Sequence, residues 1–219
     1  MRLVLTQPEG HDSQWAAMEP IAGKIRCTAE TLRLWVRQHE RNVGTRAGLT
    51  TDDRLRLRED SGTPPADLVW RTSTAPRPNA LWVADLTYVA TWIGFVYDAF
   101  VSGVFSRRIV GWRVSTSLRT GLALDALEQA VHARPNRAGL VHHSDHAVQY
   151  FSLRYTERLA EAGIAPSVAT VGDSYDDALA ESVNGLYKTE VIYRQVPWRD
   201  AAAVEMATRP LTAMAVGLN

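Results

Sequence analysis

The spacing of apolar positions changes along the chain and divides it into a helical part and a part rich in strands. Residues 14–40 repeat apolar side chains at helical spacing and predict two helices with a short break at 26–27. Thr28 is suited to cap the second helix. The first helix has the apolar set Trp15, Met18, Ile21, Ala22 and Ile25. The second is expected to bury Leu32, Trp35 and Val36.

The second helix also has a polar face that bears on DNA binding. Two short helices with a tight joint and an Arg-bearing second helix suggest a helix-turn-helix. An ordinary helical hairpin has the same pattern, so both interpretations stay open at this point. A third helix is predicted from Thr50 or Thr51 to about Glu59. The candidate DNA-binding residues on the polar face are Thr31, Arg33, Arg37 and Gln38.

Beyond residue 60 the pattern passes through a proline-rich stretch into strands. The segment 61–78 predicts a linker. Strands are predicted at 81–90, 94–105, 109–115, 139–145 and 165–169, and helices at 121–133, 154–162 and 176–192. Three antiparallel strands followed by alternating helix and strand predict an α/β domain, with a mixed sheet flanked by helices.

Composition limits the possible classes of protein but does not indicate a binding partner. The 219 residues include 24 Lys and Arg and 24 Asp and Glu, so net charge alone does not indicate a nucleic-acid binder. Basic faces must then be sought locally. The single cysteine, Cys27, cannot form an internal disulfide. Because no apolar run approaches the ~18 residues of a membrane helix, a soluble cytoplasmic protein without membrane association is expected.

Asp85 is the first candidate for chemistry, because it stands in the middle of a β-prone run. Strand interiors disfavour Asp, and a buried carboxylate there requires a partner. That partner could be a cation. A position on the solvated face of the strand explains the residue equally well.

Asp145 follows directly after an apolar strand, in VHHSDHAVQY. Strand ends present catalytic groups in sheet proteins, although a turn-forming Asp also occurs there. The neighbours His142, His143 and His146 raise the alternative of a zinc site. Three histidines this close in sequence cannot readily converge from one strand end, which argues against zinc.

Glu181 lies on the last predicted helix within a polar stripe. Its companions at helical spacing are Asp177, Asn184 and Lys188. A solvated charged face is the commoner meaning of such a stripe.

The three acids become informative as a set. They occur as Asp, Asp after 59 intervening residues, and Glu after 35 more, on a strand, a strand end and a following helix. Hard oxygen ligands in this arrangement suit Mg²⁺ or Mn²⁺. Two such ions can stabilise both the attacking and the leaving oxygens of a phosphoryl displacement.

Four segments carry a resemblance to a known family. RPNALWVADLTYV, FSRRIVGW, VHHSDHAVQY and GDSYDDALAESVNGLYKTEVI resemble the catalytic core of bacterial insertion-sequence transposases of the DDE class, which is similar to retroviral integrase. Residues 13–58 separately resemble the helix-turn-helix first reading frame of the same elements. The resemblance implies a ribonuclease H-like fold, DNA transposition and integration, and Asp85, Asp145 and Glu181 as catalytic metal ligands.

The resemblance also implies Lys188 as a DNA contact, and we place Asn184 with it. Element terminal repeats and target DNA are the implied partners, with a possible homo-oligomer. The expected domains are a helix-turn-helix region (1–60), the linker (61–78), an integrase-type core (79–208) and an aberrant tail (209–219).

Departures from the family pattern leave the activity open. The usual long zipper helix after the helix-turn-helix is missing, and the match stops past Thr208, so an internally deleted and truncated transposase is expected. Alternatives are an inactive remnant that only binds DNA and a general nuclease of the ribonuclease H-like class.

Overall fold

The computed structural model describes residues 14–24, 28–59, 65–69, 74–145, 148–169 and 178–216. The chain divides into two compact units, Met1–Arg54 and Leu55–Asn219. The helices of the first unit are α1 (Gln14–Lys24) and α2 (Ala29–Asn42), and α3 (Thr51–Glu59) runs across the boundary.

The helical pair α1 and α2 has a small apolar core. Its buried residues are Met18, Ala22, Leu32 and Val36. The Thr31 N–H donates to Thr28 Oγ1 over 3.1 Å, which makes Thr28 the N-cap of α2 as predicted. The prediction that Trp35 is buried was wrong, because that side chain is 50% exposed. Two paired helices cover only a narrow stripe of each other, and Leu32 and Val36 occupy it.

The second unit contains a five-stranded sheet with helices around it. The strands are β1 (Leu81–Thr91), β2 (Gly94–Gly103), β3 (Arg108–Ser115), β4 (Val141–Ser144) and β5 (Ala165–Val168). The helices are α4 (Thr120–Ala133), α5 (Leu153–Glu161), α6 (Ala178–Tyr187) and α7 (Ala201–Val216), with a 3₁₀ turn (Val148–Phe151) and a π-helical turn (Lys188–Ile192).

The sheet has the order β3-β2-β1-β4-β5. The first three strands form an antiparallel meander, and β4 and β5 run parallel to β1 and to each other. This is the mixed α/β architecture that the sequence predicts. The helix predicted over 176–192 differs in detail, because α6 ends at Tyr187 and the chain continues as the π-helical turn.

Helices pack on both faces of the sheet. On one face α4 approaches β3 closely at Gly111, where an added Cβ would lie 2.0 Å from the Ala126 carbonyl oxygen. The opposite face carries an apolar cluster. This cluster joins Val89, Val96, Phe100 and Val114 of the sheet to Tyr187, Val191, Ile192, Trp198 and Val204. It therefore holds α6, the π-helical turn and α7 against the sheet.

Part of the segment predicted as a linker is attached to the second unit. The Leu68 N–H donates to Ser167 Oγ on β5 over 2.9 Å. Val69 and Ala75 pack against a cluster formed by Leu81, Val83 and Val104. Residues 65–69 therefore run along the sheet.

Within the described ranges, no helix is long and apolar enough to cross a membrane.

Candidate active site

Asp85 lies on β1, and Asp145 directly follows the neighbouring parallel strand β4. The register pairs Ala84 of β1 with Ser144 of β4, and each aspartate is the next residue of its chain. Parallel neighbours are about 4.8 Å apart. The register thus puts two acidic residues that are distant in sequence next to each other, at the point where β4 ends beside β1.

Asp85 is held by two hydrogen bonds. The Leu86 backbone N–H donates to Asp85 Oδ1 over 2.7 Å. Asn184 Nδ2 donates to Asp85 Oδ2 over 2.5 Å. The second bond joins α6 to β1, so Asn184, predicted as a DNA contact, orients the first carboxylate.

Tyr150 is a buried residue on which both aspartates act electrostatically, and it was not predicted from the sequence. Its hydroxyl is buried without a hydrogen-bond partner among the described residues. Burial raises the pKa of this hydroxyl well above its usual value, and Tyr155, Asp145 and Asp85 raise it further. Both carboxylates therefore act on the same buried hydroxyl. The available signal was an aromatic residue five positions after Asp145.

The third predicted acid lies on the helix that carries Asn184. Position 181 is in α6, three residues before Asn184, and helical periodicity puts both positions on one side of the helix. The side chain of Glu181 and the whole of Asp177 lie outside the described residues. The role of Glu181 stays a prediction.

Lys188 follows α6 at the start of the π-helical turn. Its Nζ lies 5.0 Å from the centre of the Tyr88 ring, a cation–π distance. The ammonium group is thereby held beside the outer part of β1.

His142 and His143 both make buried contacts beside the sheet. His142 is buried, its Nε2 lies 3.0 Å from the Tyr155 hydroxyl, and burial lowers its pKa to about 4. His143 Nδ1 lies 2.9 Å from Ser167 Oγ. Consecutive strand residues point to opposite faces, so these two rings do not converge on one ion. His146 lies outside the described residues.

No three described His, Cys, Asp or Glu side chains cluster as a metal site. Glu181, the third acid of the predicted set, is not among the side chains searched.

Asp98 is a second buried carboxyl that the sequence analysis missed. It is 0% exposed on β2 and pairs with Thr87, two residues from Asp85. The Tyr187 hydroxyl oxygen lies 3.0 Å from Asp98 Oδ2. Burial has the largest effect on Asp98 and raises its pKa to about 7. An acid inside the apolar run GFVYDAFV was the available signal.

The candidate DNA-binding residues of α2 make contacts within the first unit. Arg33 pairs with Glu30 at 2.6 Å. Thr31 Oγ1 lies 2.8 Å from Thr28 Oγ1. Gln38 donates to the Leu49 carbonyl and to Asn42, and it accepts from Arg41. A base contact by Gln38 would replace these bonds, and DNA binding by this face, Arg37 included, stays a prediction.

The sheet order and the paired aspartates define a class, the integrase type of catalytic core with a ribonuclease H-like fold. A chain of the simian T-cell lymphotropic virus intasome, solved in complex with PP2A regulatory subunit B56 gamma, has a similar fold. Its TM-score is 0.51 at 16% identity, with 86% of this chain and 66% of that chain covered. The dimeric HTLV-2 integrase catalytic core in complex with magnesium gives a TM-score of 0.50 at 16% identity, covering 66% and 90%.

Sequence comparison adds the family. The integrase core domain model matches residues 75–174. The chain is 50% identical over 193 residues to the "Putative transposase for insertion sequence element IS986/IS6110" of Mycobacterium tuberculosis (strain ATCC 25618 / H37Rv), covering 84% of this chain and 66% of the relative. It is 58% identical over 142 residues to the transposase for insertion sequence element IS629 of Shigella sonnei, covering 65% and 47%.

The chain belongs to the insertion-sequence transposases with an integrase core domain, a family of DNA transposition and integration. It spans about two thirds of the mycobacterial relative and about half of the Shigella one.

Proposed function

We propose that this chain is a divalent-metal-dependent DNA transposase, which cleaves the ends of its element and joins the freed 3′-OH to target DNA. The observation that carries the proposal is the parallel register of β1 and β4, which ends at Ala84 and Ser144 and so puts Asp85 next to Asp145. Helix α6, which bears position 181, is bound to the first of them through Asn184. Two acids from the sheet and one from this helix make the expected ligand set.

The donor set fits Mg²⁺ or Mn²⁺. Asp85 and Asp145 are hard oxygen donors, and neighbouring like charges favour a cation between them. A carboxylate oxygen can accept a hydrogen bond and coordinate a cation at the same time, so the bonds from Leu86 and Asn184 are compatible with a metal ion on Asp85. Asp85, Asp145 and Glu181 would hold the ions. When bound, the ions would neutralise charge on the scissile phosphate and activate the attacking oxygen.

The remaining residues position groups and bind the DNA backbone. Asn184 fixes the rotamer of Asp85, as expected of a residue that orients a metal ligand. The Lys188 ammonium lies over the Tyr88 ring and would contact a phosphate of the bound DNA. Phosphoryl transfer requires little more than such positioning and charge neutralisation.

The proposed partners are the terminal repeats of the element, the target DNA and a second copy of this chain. The HTLV-2 core in complex with magnesium is a dimer, and the simian viral chain belongs to an intasome. The N-cap at Thr28 and the apolar stripe of α2 support a helix-turn-helix in the first unit, in which Arg33 and Arg37 are half-buried.

A strand-transfer assay tests the proposal. Purified chain is incubated with labelled oligonucleotides ending in the element's terminal repeats, with plasmid target and with Mg²⁺ or Mn²⁺. We expect joined products from the wild-type chain and none from Asp85→Asn or Glu181→Gln. Products that persist in both variants would overturn the assignment of the site.

The same experiment separates the other functions. Salt-dependent binding of DNA without cleavage under either metal would identify a remnant that only binds DNA. Cleavage that is independent of terminal-repeat sequence would identify a general nuclease.

A further inference from the structure

Asp98, Tyr187 and Thr208 form a buried chain of polar groups beneath α6. The Tyr187 hydroxyl oxygen lies 3.0 Å from Asp98 Oδ2 and 3.0 Å from Thr208 Oγ1. The Thr208 hydroxyl lies 2.8 Å from the Val204 carbonyl oxygen, to which it donates. Asp98 and Thr208 are each 0% exposed. These contacts link β2 to α6 and α6 to α7.

Counting hydrogens fixes the protonation state of Asp98. A carbonyl only accepts, so the single hydroxyl hydrogen of Thr208 goes to Val204. Tyr187 must then donate to Thr208, and it has no second hydrogen for Asp98. All three contacts are hydrogen bonds only when Asp98 carries a proton and donates to Tyr187. An ionised Asp98 leaves one of them as a contact between two lone pairs.

The environment of the second oxygen of Asp98 also favours the protonated acid. Asp98 Oδ1 is buried and accepts no hydrogen bond from the described residues. A carboxylate would place negative charge on this unsolvated atom, whereas the carbonyl oxygen of a neutral acid is far less costly to bury. Burial also raises the pKa of Asp98 to about 7.

The charged groups that the structure describes around Asp98 do little to stabilise its ionised form. Lys188 is the cation that acts on it, and that ammonium lies over the Tyr88 ring. The β3 residue paired with Asp98 is the apolar Val114. Its neighbour Arg113 faces α4, where it pairs with Asp125 at 3.2 Å.

On α7, Glu205 and Arg209 pair with each other at 3.9 Å. Asp85 lies on the same face of β1 as Thr87, the partner of Asp98, and it accepts hydrogen bonds from Leu86 and Asn184.

Helix α6 connects the chain of polar groups to the proposed active site. Tyr187 is three residues after Asn184 on α6, and its ring packs against Phe100 with centroids 4.9 Å apart. Phe100 is paired with Asp85 across β1 and β2. The anchoring of Tyr187 therefore sets where Asn184 meets Asp85.

We propose that Asp98 is held as a neutral carboxylic acid whose O–H donates to Tyr187, and that it acts as a positioning residue for the acidic site by fixing α6 over β1 and β2. The positioning role rests on the proposed metal-dependent function. The protonation state rests on the hydrogen count and on the burial of Oδ1, and it is independent of that function.

Infrared difference spectroscopy tests the protonation state. At pH 6 ordinary carboxylates are ionised, so a protonated carboxyl C=O band stands apart from them. We expect this band in the wild-type chain and in the exposed control Asp125→Asn, and its loss in Asp98→Asn. Tyr187→Phe should shift it by removing the acceptor. A wild-type chain without the band, or an Asp98→Asn chain that retains it, would overturn the neutral acid.

Mn²⁺ binding, followed by the electron paramagnetic resonance signal of the free ion, tests the positioning role. Asp98→Asn keeps a donor for Tyr187, and we expect wild-type Mn²⁺ affinity. Asp98→Leu has no donor, and we expect affinity reduced several-fold, with melting temperature as the check on folding. Equal affinity in a folded Asp98→Leu chain would refute the positioning role. A wild-type chain that binds no Mn²⁺ would contradict the proposed function and the positioning role with it, while the infrared band would still decide the protonation state.

Discussion

Asn184 Nδ2 donates to Asp85 Oδ2 across 99 residues of sequence and joins α6 to the central strand of the sheet. This bond fixes the orientation of the first proposed metal ligand. Asn184→Ala removes this donor from the carboxylate. We expect roughly 10-fold weaker Mn²⁺ binding, at the lower end of the effects seen for groups that orient metal ligands.

Calorimetric titration with Mn²⁺ checks this expectation, with Asn136→Ala as the matched control on an exposed position. Unchanged affinity in a folded Asn184→Ala chain would show that the bond does not support the site.

Gly111 lets α4 pack directly on β3. In Gly111→Ala the new Cβ would meet the Ala126 carbonyl oxygen at 2.0 Å and the Ala130 nitrogen at 2.8 Å. Because both are backbone atoms, we expect the free energy of unfolding to fall by about 3 kcal/mol or more. Urea denaturation measures this loss.

Gly185→Ala is the matched control for that experiment, because an added Cβ at this position of α6 meets nothing within 4 Å. It should stabilise the chain by about 0.5–1 kcal/mol through helix propensity. Equal effects of the two substitutions would contradict the close packing at Gly111.

The buried carboxyl of Asp98 should make folding stability depend on pH. Its pKa is about 7 in the folded chain and near 3.8 when unfolded. Between these values the unfolded chain releases the proton first. Burying Asp98 therefore lowers the free energy of unfolding in a pH-dependent way. This loss is absent below about pH 4, grows as the pH rises, and is complete above about pH 7 at roughly 4 kcal/mol.

Denaturation of the wild-type chain and of Asp98→Asn at several pH values measures this cost. The variant should gain stability over the wild type as the pH rises from 4 to 7, and Asp125→Asn should not. A constant difference between variant and wild type would mean that Asp98 titrates alike in both states.

Lys188 should contribute to DNA affinity through charge. Lys188→Ala removes one proposed phosphate contact, so we expect weaker binding of terminal-repeat DNA and a salt slope smaller by about 1. Fluorescence anisotropy over a range of salt concentrations gives both quantities. The control is Arg194→Ala, an exposed cation that pairs with Glu190. Equal slopes for Lys188→Ala and the wild type would place Lys188 away from the phosphates.

The local pattern of apolar and polar residues predicts the helices and strands of this fold closely, because strand alternation and helical spacing depend only on residues that are close in sequence. The strand predicted at 81–90 is observed as β1 (Leu81–Thr91), and Thr28 caps its helix as predicted. The burial of Trp35 was predicted wrongly, because spacing places a residue on a face but does not say how wide the partner element is.

The site depends on relationships that local pattern does not contain. The neighbourhood of Asp85 and Asp145 follows from the register of parallel strands far apart in the chain. Asp98 stands in an apolar run as Asp85 does, but its partners Tyr187 and Thr208 lie about 90 and 110 residues further on, and only the packing of α6 and α7 brings them there. Tyr150 was missed for the same reason.

The central claim is that Asp85, Asp145 and Glu181 jointly bind a divalent metal ion. Mn²⁺ binding by the purified chain, measured by electron paramagnetic resonance, tests it most directly, because it requires neither DNA nor turnover. We predict binding by the wild-type chain and by Asp125→Asn, with strong loss in Asp85→Asn, Asp145→Asn and Glu181→Gln. Folded variants of these three acids that bind Mn²⁺ as tightly as the wild type would contradict the claim.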